Sequence, residues 1–143
     1  MDDLLVERVL RAVELVPAGR VVSYGDLAAL VGTGPRQVGS IMRHWGENVA
    51  WWRVTSHAGD LGGDLLQRAR PHWDAEGIRV KPNGLGCRIA DYRADLELLA
   101  AEHARAVADL APVPDGGEHG DGTSGRSPDL RRRARHTPVP GRA

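Results

Sequence analysis

Two adjacent indoles, a single thiol, six histidines and a set of arginines are the side chains from which any chemistry of this 143-residue chain has to be built. Trp51 and Trp52 bring broad polarizable faces suited to stacking, and an N–H that can only donate. Taken alone, such a pair packs a core as readily as it lines a binding site. Cys87 is the only cysteine and lies in Gly84-Leu85-Gly86-Cys87-Arg88 without a nearby histidine. It reads as a bystander thiol, with no partner for a disulfide or a Cys-type zinc site. His44, His57 and His72 have no metal-ligand spacing, and no nucleophile-elbow sequence supports a hydrolase, so neither metal nor cofactor is expected. Arg36, Ser40 and Arg43 fall at i, i+4 and i+7, opposite an apolar stripe of Val38, Ile41 and Met42, and face outward together. With Gly39 and Ser40 small enough to let a helix axis approach a duplex closely, this face suits DNA; an ordinary solvated helix face has the same pattern.

The elements that must position these residues follow from periodicity and punctuation. Leu5, Val9, Ala12, Val13 and Val16 recur at helical spacing behind Asp2 and Asp3, and Pro17-Ala18-Gly19 ends that helix. Ser23, with Asp26 three residues on, starts a second helix over about Tyr24 to Val31, with Leu27, Leu30 and Val31 on its apolar face. Gly32-Thr33-Gly34 makes a tight turn, and Pro35 suits the first turn of a third helix. Together the pair reads as a helix-turn-helix. Trp52 to Thr55 has strand character, and the turn residues Ala58 to Gly63 suggest a small hairpin, hence a wing. A further helix runs from Asp64 to about Glu76, interrupted or restarted at Pro71 and stopped by Gly77. Tyr92, Leu96, Leu99, His103, Ala106 and Leu110 then alternate at four and three, predicting a C-terminal amphipathic helix with a packing role.

The expected fold is therefore α+β and mainly helical: a winged helix-turn-helix with a small wing hairpin and a C-terminal helix. Residues 1–95 form the DNA-binding domain, 96–112 a helical extension, and 113–143 a disordered Gly/Pro/Arg-rich tail with too little apolar content to offset ordering entropy. Within that tail the Arg131-Arg132-Arg133-Ala134-Arg135 cluster offers either phosphate contacts or a merely solvated basic segment. A hydrophobic content of 41% suffices for one modest core, and zero net charge argues against coating nucleic acid by bulk electrostatics while allowing a local basic face. No apolar run approaches the roughly 20 residues of a membrane span, and the acidic start is unlike a secretory signal, so a cytoplasmic monomer without membrane association is expected.

Ser23-Tyr24-Gly25-Asp26-Leu27-Ala28-Ala29-Leu30-Val31-Gly32 and Arg36-Gln37-Val38-Gly39-Ser40-Ile41-Met42-Arg43 resemble the DNA-binding segment of the O6-alkylguanine-DNA alkyltransferases in order and spacing. Val49-Ala50-Trp51-Trp52-Arg53-Val54 resembles their Pro-Cys-His-Arg-Val signature, with Trp51 at the cysteine position, Trp52 at the histidine position and Ala50 in place of proline. Ala75-Glu76-Gly77 is similar to the later glutamate motif, and the likeness covers about residues 3 to 95. The chain thus resembles the alkyltransferase-like branch, whose implied role is to recognise an alkylated guanine rather than repair it. In the enzymes the glutamate polarises the histidine through water and the histidine lowers the thiol's pKa for attack on the alkyl carbon. Of those three groups Glu76 alone is matched, and indoles supply neither thiolate nor general base, so no catalytic residue and no alkyl transfer are expected.

By the same resemblance the third helix enters the minor groove, Arg36 takes the place of an extruded nucleotide, and Tyr24 crowds the adjoining phosphate. The implied DNA-binding residues are Tyr24, Arg36, Gln37, Gly39, Ser40 and Arg43. The implied lesion pocket comprises Tyr24, Trp51, Trp52, Arg53, Asp60 and Leu61, with Trp51 a stacking wall and Arg53 a structural support. The implied partners are duplex DNA with alkylated guanine and nucleotide excision repair proteins. Two alternatives remain from the residues themselves: a winged-helix DNA-binding or transcription-regulatory module without lesion specificity, and a DNA-repair glycosylase in which Glu76 activates water.

Overall fold

The computed structural model describes residues 2–110. The predicted basic tail lies outside the described residues. Helix α1, Asp3–Leu15, is capped by the Asp2 carboxylate, which accepts from the backbone N–H groups of Leu4 and Leu5. Its apolar stripe, Val6, Val9, Leu10 and Val13, is fully buried. Strand β1 is the short Val22–Ser23 step, and it leads directly into α2, Tyr24–Val31. That entry is a complete capping box. The Asp26 N–H donates to Ser23 Oγ and the Ser23 N–H donates to Asp26 Oδ2, each at 2.9 Å. Gly32 closes α2 at φ 89°, a left-handed conformation that a residue with a Cβ adopts only under strain.

Helix α3, Pro35–Trp45, starts with proline in its first turn, where the missing N–H costs nothing. It packs on α2 and α1 through buried Val38 and Ile41. Strand β2, Val54–Thr55, pairs in parallel with β1 in the register Val22↔Val54 and Ser23↔Thr55. This corrects the expected wing: residues 56–60 do turn back, with the Ser56 N–H donating to Asp60 O at 2.9 Å, but among the described residues no later strand pairs with β2 to make the expected hairpin ladder. The turn at 56–61 pairs instead with a distant stretch: Cys87 N–H donates to Gly59 O at 2.9 Å and Leu61 N–H to Leu85 O at 3.1 Å. A small antiparallel turn is found later in the chain, where the Lys81 N–H donates to Gly86 O and Val80 bridges Cys87. Backbone crowding explains this choice. A Cβ on Gly86 would lie 2.0 Å from Gly59 O, and one on Gly59 would lie 2.1 Å from Cys87 O, so only glycines permit the two segments to pair.

Helix α4, Asp64–Glu76, runs through Pro71 without a break and ends at Gly77, φ 79°. After the single turn α5, Ile89–Tyr92, comes α6, Leu96–Ala106, capped by Asp95. Leu99 of α6 belongs to the same buried cluster as α1, and His103 is hydrogen-bonded through Nε2 to Arg8 O at 2.8 Å. Helix α6 is thus packed into the main core. That core joins α1, α2, α3 and α6; a second cluster gathers Val21, Leu66, Ala69, Trp73, Ile78 and Cys87, with Trp51 and Trp52 half-buried against it. Among the described residues no helix is long and apolar enough to cross a membrane.

Candidate nucleic-acid interface and base pocket

No acidic residue occurs between Asp26 and Glu47, so the helix-turn-helix presents its cations without local neutralisation. Arg36, Gln37 and Arg43 of α3 are exposed, while Gly39 and Ser40 are half-buried on the same helix. Gln37 is oriented by the Thr33 hydroxyl, which donates to its side-chain oxygen. A Cβ placed on Gly39 would meet nothing within 4 Å, so that position leaves open space beside the helix.

That space continues into a cavity of about 450 Å³ lined by residues of α2, α3, the following turn, the Trp51 segment, the 56–61 loop and α4. Of the residues predicted from sequence it collects Tyr24, Gly39, Arg43, Trp51 and Leu61; it adds Met42, Gly46, Glu47, Leu65 and Arg68. The Tyr24 hydroxyl is held above its ordinary pKa by burial, which outweighs the opposing influence of Arg43, so it enters neutral pH as a protonated donor. At the mouth, Arg68 lies 5.2 Å from the Trp51 ring centroid and 3.6 Å from the Glu47 carboxylate. Both partners of that ion pair are largely exposed, which makes it worth no more than about 1 kcal/mol and easily exchanged for other contacts.

Trp52, Arg53 and Asp60, placed in the pocket by the sequence reading, lie outside the cavity lining. A stronger set of partners holds each of them elsewhere. The Trp52 indole N–H donates to Glu76 Oε2 at 2.9 Å, and its backbone carbonyl accepts from the buried Trp73 indole at 2.7 Å. Arg53 donates from Nη2 to Glu76 Oε2 at 2.6 Å, from Nε to the same carboxylate, and from Nη1 to Val16 O at 2.9 Å. Asp60 is in ionic contact with Lys81 Nζ at 2.7 Å, and Lys81 also donates to Ala58 O. That clamp shapes the 56–61 loop, whose next residue, Leu61, reaches the cavity.

Glu76 also accepts from the Gly19 N–H at 2.9 Å. Burial by itself would raise its pKa, but the hydrogen bonds from Arg53, Gly19 and Trp52 and the Arg53 charge bring it below the usual carboxylate range. A carboxylate so committed to donors is a poor base for activating water. Cys87 is buried in the second core cluster, and burial pushes its thiol up to about 11, so the one sulfhydryl of the chain stays protonated at neutral pH and away from the cavity lining. Among the described residues no cluster of three metal-binding side chains occurs.

Residues 5–78, just over half of the chain, match the family described as 6-O-methylguanine DNA methyltransferase, DNA binding domain. The chain belongs to that family. It is 37% identical over 89 residues to a protein from Escherichia coli named DNA base-flipping protein, covering 58% of this chain and 69% of that one. It is also 32% identical over 94 residues to alkyltransferase-like protein 1 of Schizosaccharomyces pombe, covering 60% of this chain and 86% of that one. A solved structure with a similar fold is S. pombe Atl1 in complex with damaged DNA containing O6-carboxymethylguanine, at a TM-score of 0.57 and 28% identity, covering 64% of this chain and 94% of the other. The mainly helical fold with a two-stranded sheet is therefore that of the alkyltransferase-like proteins.

The sequence reading missed Met42, Gly46, Glu47, Leu65 and Arg68 as cavity residues. A periodic signal was nevertheless present: Arg68, His72 and Glu76 recur every four residues along α4. Polar stripes at that spacing usually face solvent, so the spacing alone did not reveal that this one faces the indoles.

Proposed function

We propose that this protein is a non-enzymatic sensor of alkylated guanine in duplex DNA. In this reading α3 lies in the minor groove, Arg36 fills the gap left in the base stack, Tyr24 and Arg43 flank the strand, and the extruded O6-alkylguanine rests against Trp51. The observation that carries it is an aromatic-walled cavity, within the size range of small-molecule sites, that opens beside the outward face of α3 and has no thiol among its lining residues. Holding the base without transferring its alkyl group leaves a persistent distorted complex, and that complex serves as the mark for nucleotide excision repair. Support comes from the relatives, one a DNA base-flipping protein and one bound to damaged DNA. Glu76, saturated by Arg53, Gly19 and Trp52, favours this reading over a glycosylase.

The test is competitive binding to matched duplexes carrying guanine or O6-methylguanine at one salt concentration, followed by mass spectrometry of both protein and DNA. Preference for the lesion, with protein mass and base unchanged, is the expected result. Equal affinity would make the protein a general DNA-binding module, and a protein gaining a methyl group or an abasic site in the DNA would make it an enzyme.

A further inference from the structure

The wall of the cavity is mounted on α4. Three residues of that helix spaced four apart grip the Trp51–Trp52 segment: the Arg68 guanidinium covers the Trp51 ring, the His72 imidazole stacks on Trp52, and Glu76 accepts the Trp52 N–H. The His72 stack is close and flat, with centroids 3.7 Å apart and planes 8° from parallel. Trp51 stands nearly perpendicular to both rings, 5.8 Å from Trp52 at 84° and 6.1 Å from His72 at 76°. The short helix Trp51–Arg53 that carries the indoles is only one turn long and has no side-chain cap. Its own backbone cannot hold a large ring in one orientation, so neighbouring contacts must do so.

We infer that His72 and Trp52 are positioning residues for Trp51, a three-ring assembly anchored through the Trp52 N–H on Glu76. The inference rests on the reading that Trp51 is the stacking wall, and adds what keeps that wall upright. Arg68 grips Trp51 from the solvent side but is half-exposed and shared with Glu47, so it leaves the ring angle unspecified. The stacked pair fixes that angle from behind. A wall already oriented before the base arrives spares the entropy of ordering it on binding, and this raises affinity for the extruded base without touching the groove-binding face. The Trp52 indole is thus the platform under the pocket rather than part of its lining.

The experiment uses full-length protein labelled with 5-fluorotryptophan, comparing wild type with His72→Ala and His72→Phe. Trp51→Ala assigns the Trp51 fluorine signal and serves as the reference for lesion preference. The mount predicts that His72→Ala splits or broadens the Trp51 signal, keeps affinity for an undamaged duplex, and lowers preference for the O6-methylguanine duplex by about three- to tenfold, as loss of an aromatic pair would. His72→Phe, which preserves a flat ring, should restore both the single sharp signal and the preference. A Trp51 signal as sharp in His72→Ala as in wild type would overturn the mount. If Trp51→Ala itself keeps full lesion preference, the stacking-wall reading fails, and the fluorine line shape still decides whether His72 orders Trp51. His72 is exposed on α4 and outside both core clusters, so the alanine variant is expected to fold, and an unchanged melting curve will show it.

Discussion

Truncating Trp51 should separate lesion recognition from DNA binding. The ring lines the cavity, is half-buried, lies nearly perpendicular to Trp52 and His72, and has Arg68 over it at 5.2 Å from its centroid. Trp51→Ala removes that ring while leaving Arg36, Gln37 and Arg43 on α3 untouched. Stacking of one base on an aromatic ring contributes about 1 to 3 kcal/mol. At about 1.4 kcal/mol per decade, the ratio of affinities for O6-methylguanine and guanine duplexes should fall by about 5- to 150-fold. Arg68, released from the indole, can stack on the base in part, which places the expected loss in the lower half of that range. Trp51 lies at the edge of the second core cluster, so the stability cost should stay below the about 3 to 5 kcal/mol of a fully buried Trp→Ala change. Fluorescence anisotropy with both duplexes at fixed salt gives the two affinities, and a thermal melt verifies folding. A folded variant that binds both duplexes as wild type does would refute the reasoning, because the cavity would then be recognising nothing through its largest aromatic surface.

Removing the exposed cation in Arg36→Ala should weaken binding to damaged and undamaged duplexes and reduce the salt dependence, read from titrations at several salt concentrations; unchanged affinity would argue against its place in the base stack. The Glu76–Arg53 pair predicts an acid-sensitive stability. Because the Glu76 pKa is lower folded than unfolded, its contribution is fully present above the usual carboxylate value of about 4.3 and fades as pH drops through the lower folded value. Glu76→Gln should therefore be destabilised at neutral pH, toward the lower end of the about 3 to 5 kcal/mol for a broken buried pair because Arg53 keeps 17% exposure, and the gap to wild type should close in acid. A gap that is the same at pH 3 and pH 7 in denaturant melts would contradict this. Gly86→Ala forces a Cβ to 2.0 Å from Gly59 O and should cost about 1 to 3 kcal/mol or more, together with lesion binding through displacement of Leu61; an unperturbed melting temperature would show that the two segments can part freely.

Much of this molecule is decided over short distances along the chain. The Asp2 cap, the Ser23–Asp26 box, Pro35 at the head of α3 and the four-and-three spacing of buried valines and leucines are local matters, settled by backbone donors and side-chain periodicity within a turn or two. They place the first three helices and turn Arg36 and Arg43 outward, and they are legible without coordinates. Other features depend on partners far away in sequence. β2 pairs with β1 across the 30 intervening residues 24–53, and the 56–61 turn pairs with 85–87, so a stretch that reads as a self-contained hairpin is claimed by longer-range ladders. Trp52 and Arg53 belong to the same signature as Trp51, yet Glu76, 24 and 23 residues on, draws both away from the cavity. Adjacent side chains on a one-turn helix point in different directions, and which of them meets the cavity, a carboxylate or a histidine is set by where α4 packs. Sequence by itself determined α1 to α4 and α6 and the absence of a thiol beside the indoles; only the tertiary packing decided which indole faces the cavity and which one holds it in place, since that choice depends on hydrogen bonds and ring contacts between segments that local backbone preference does not connect.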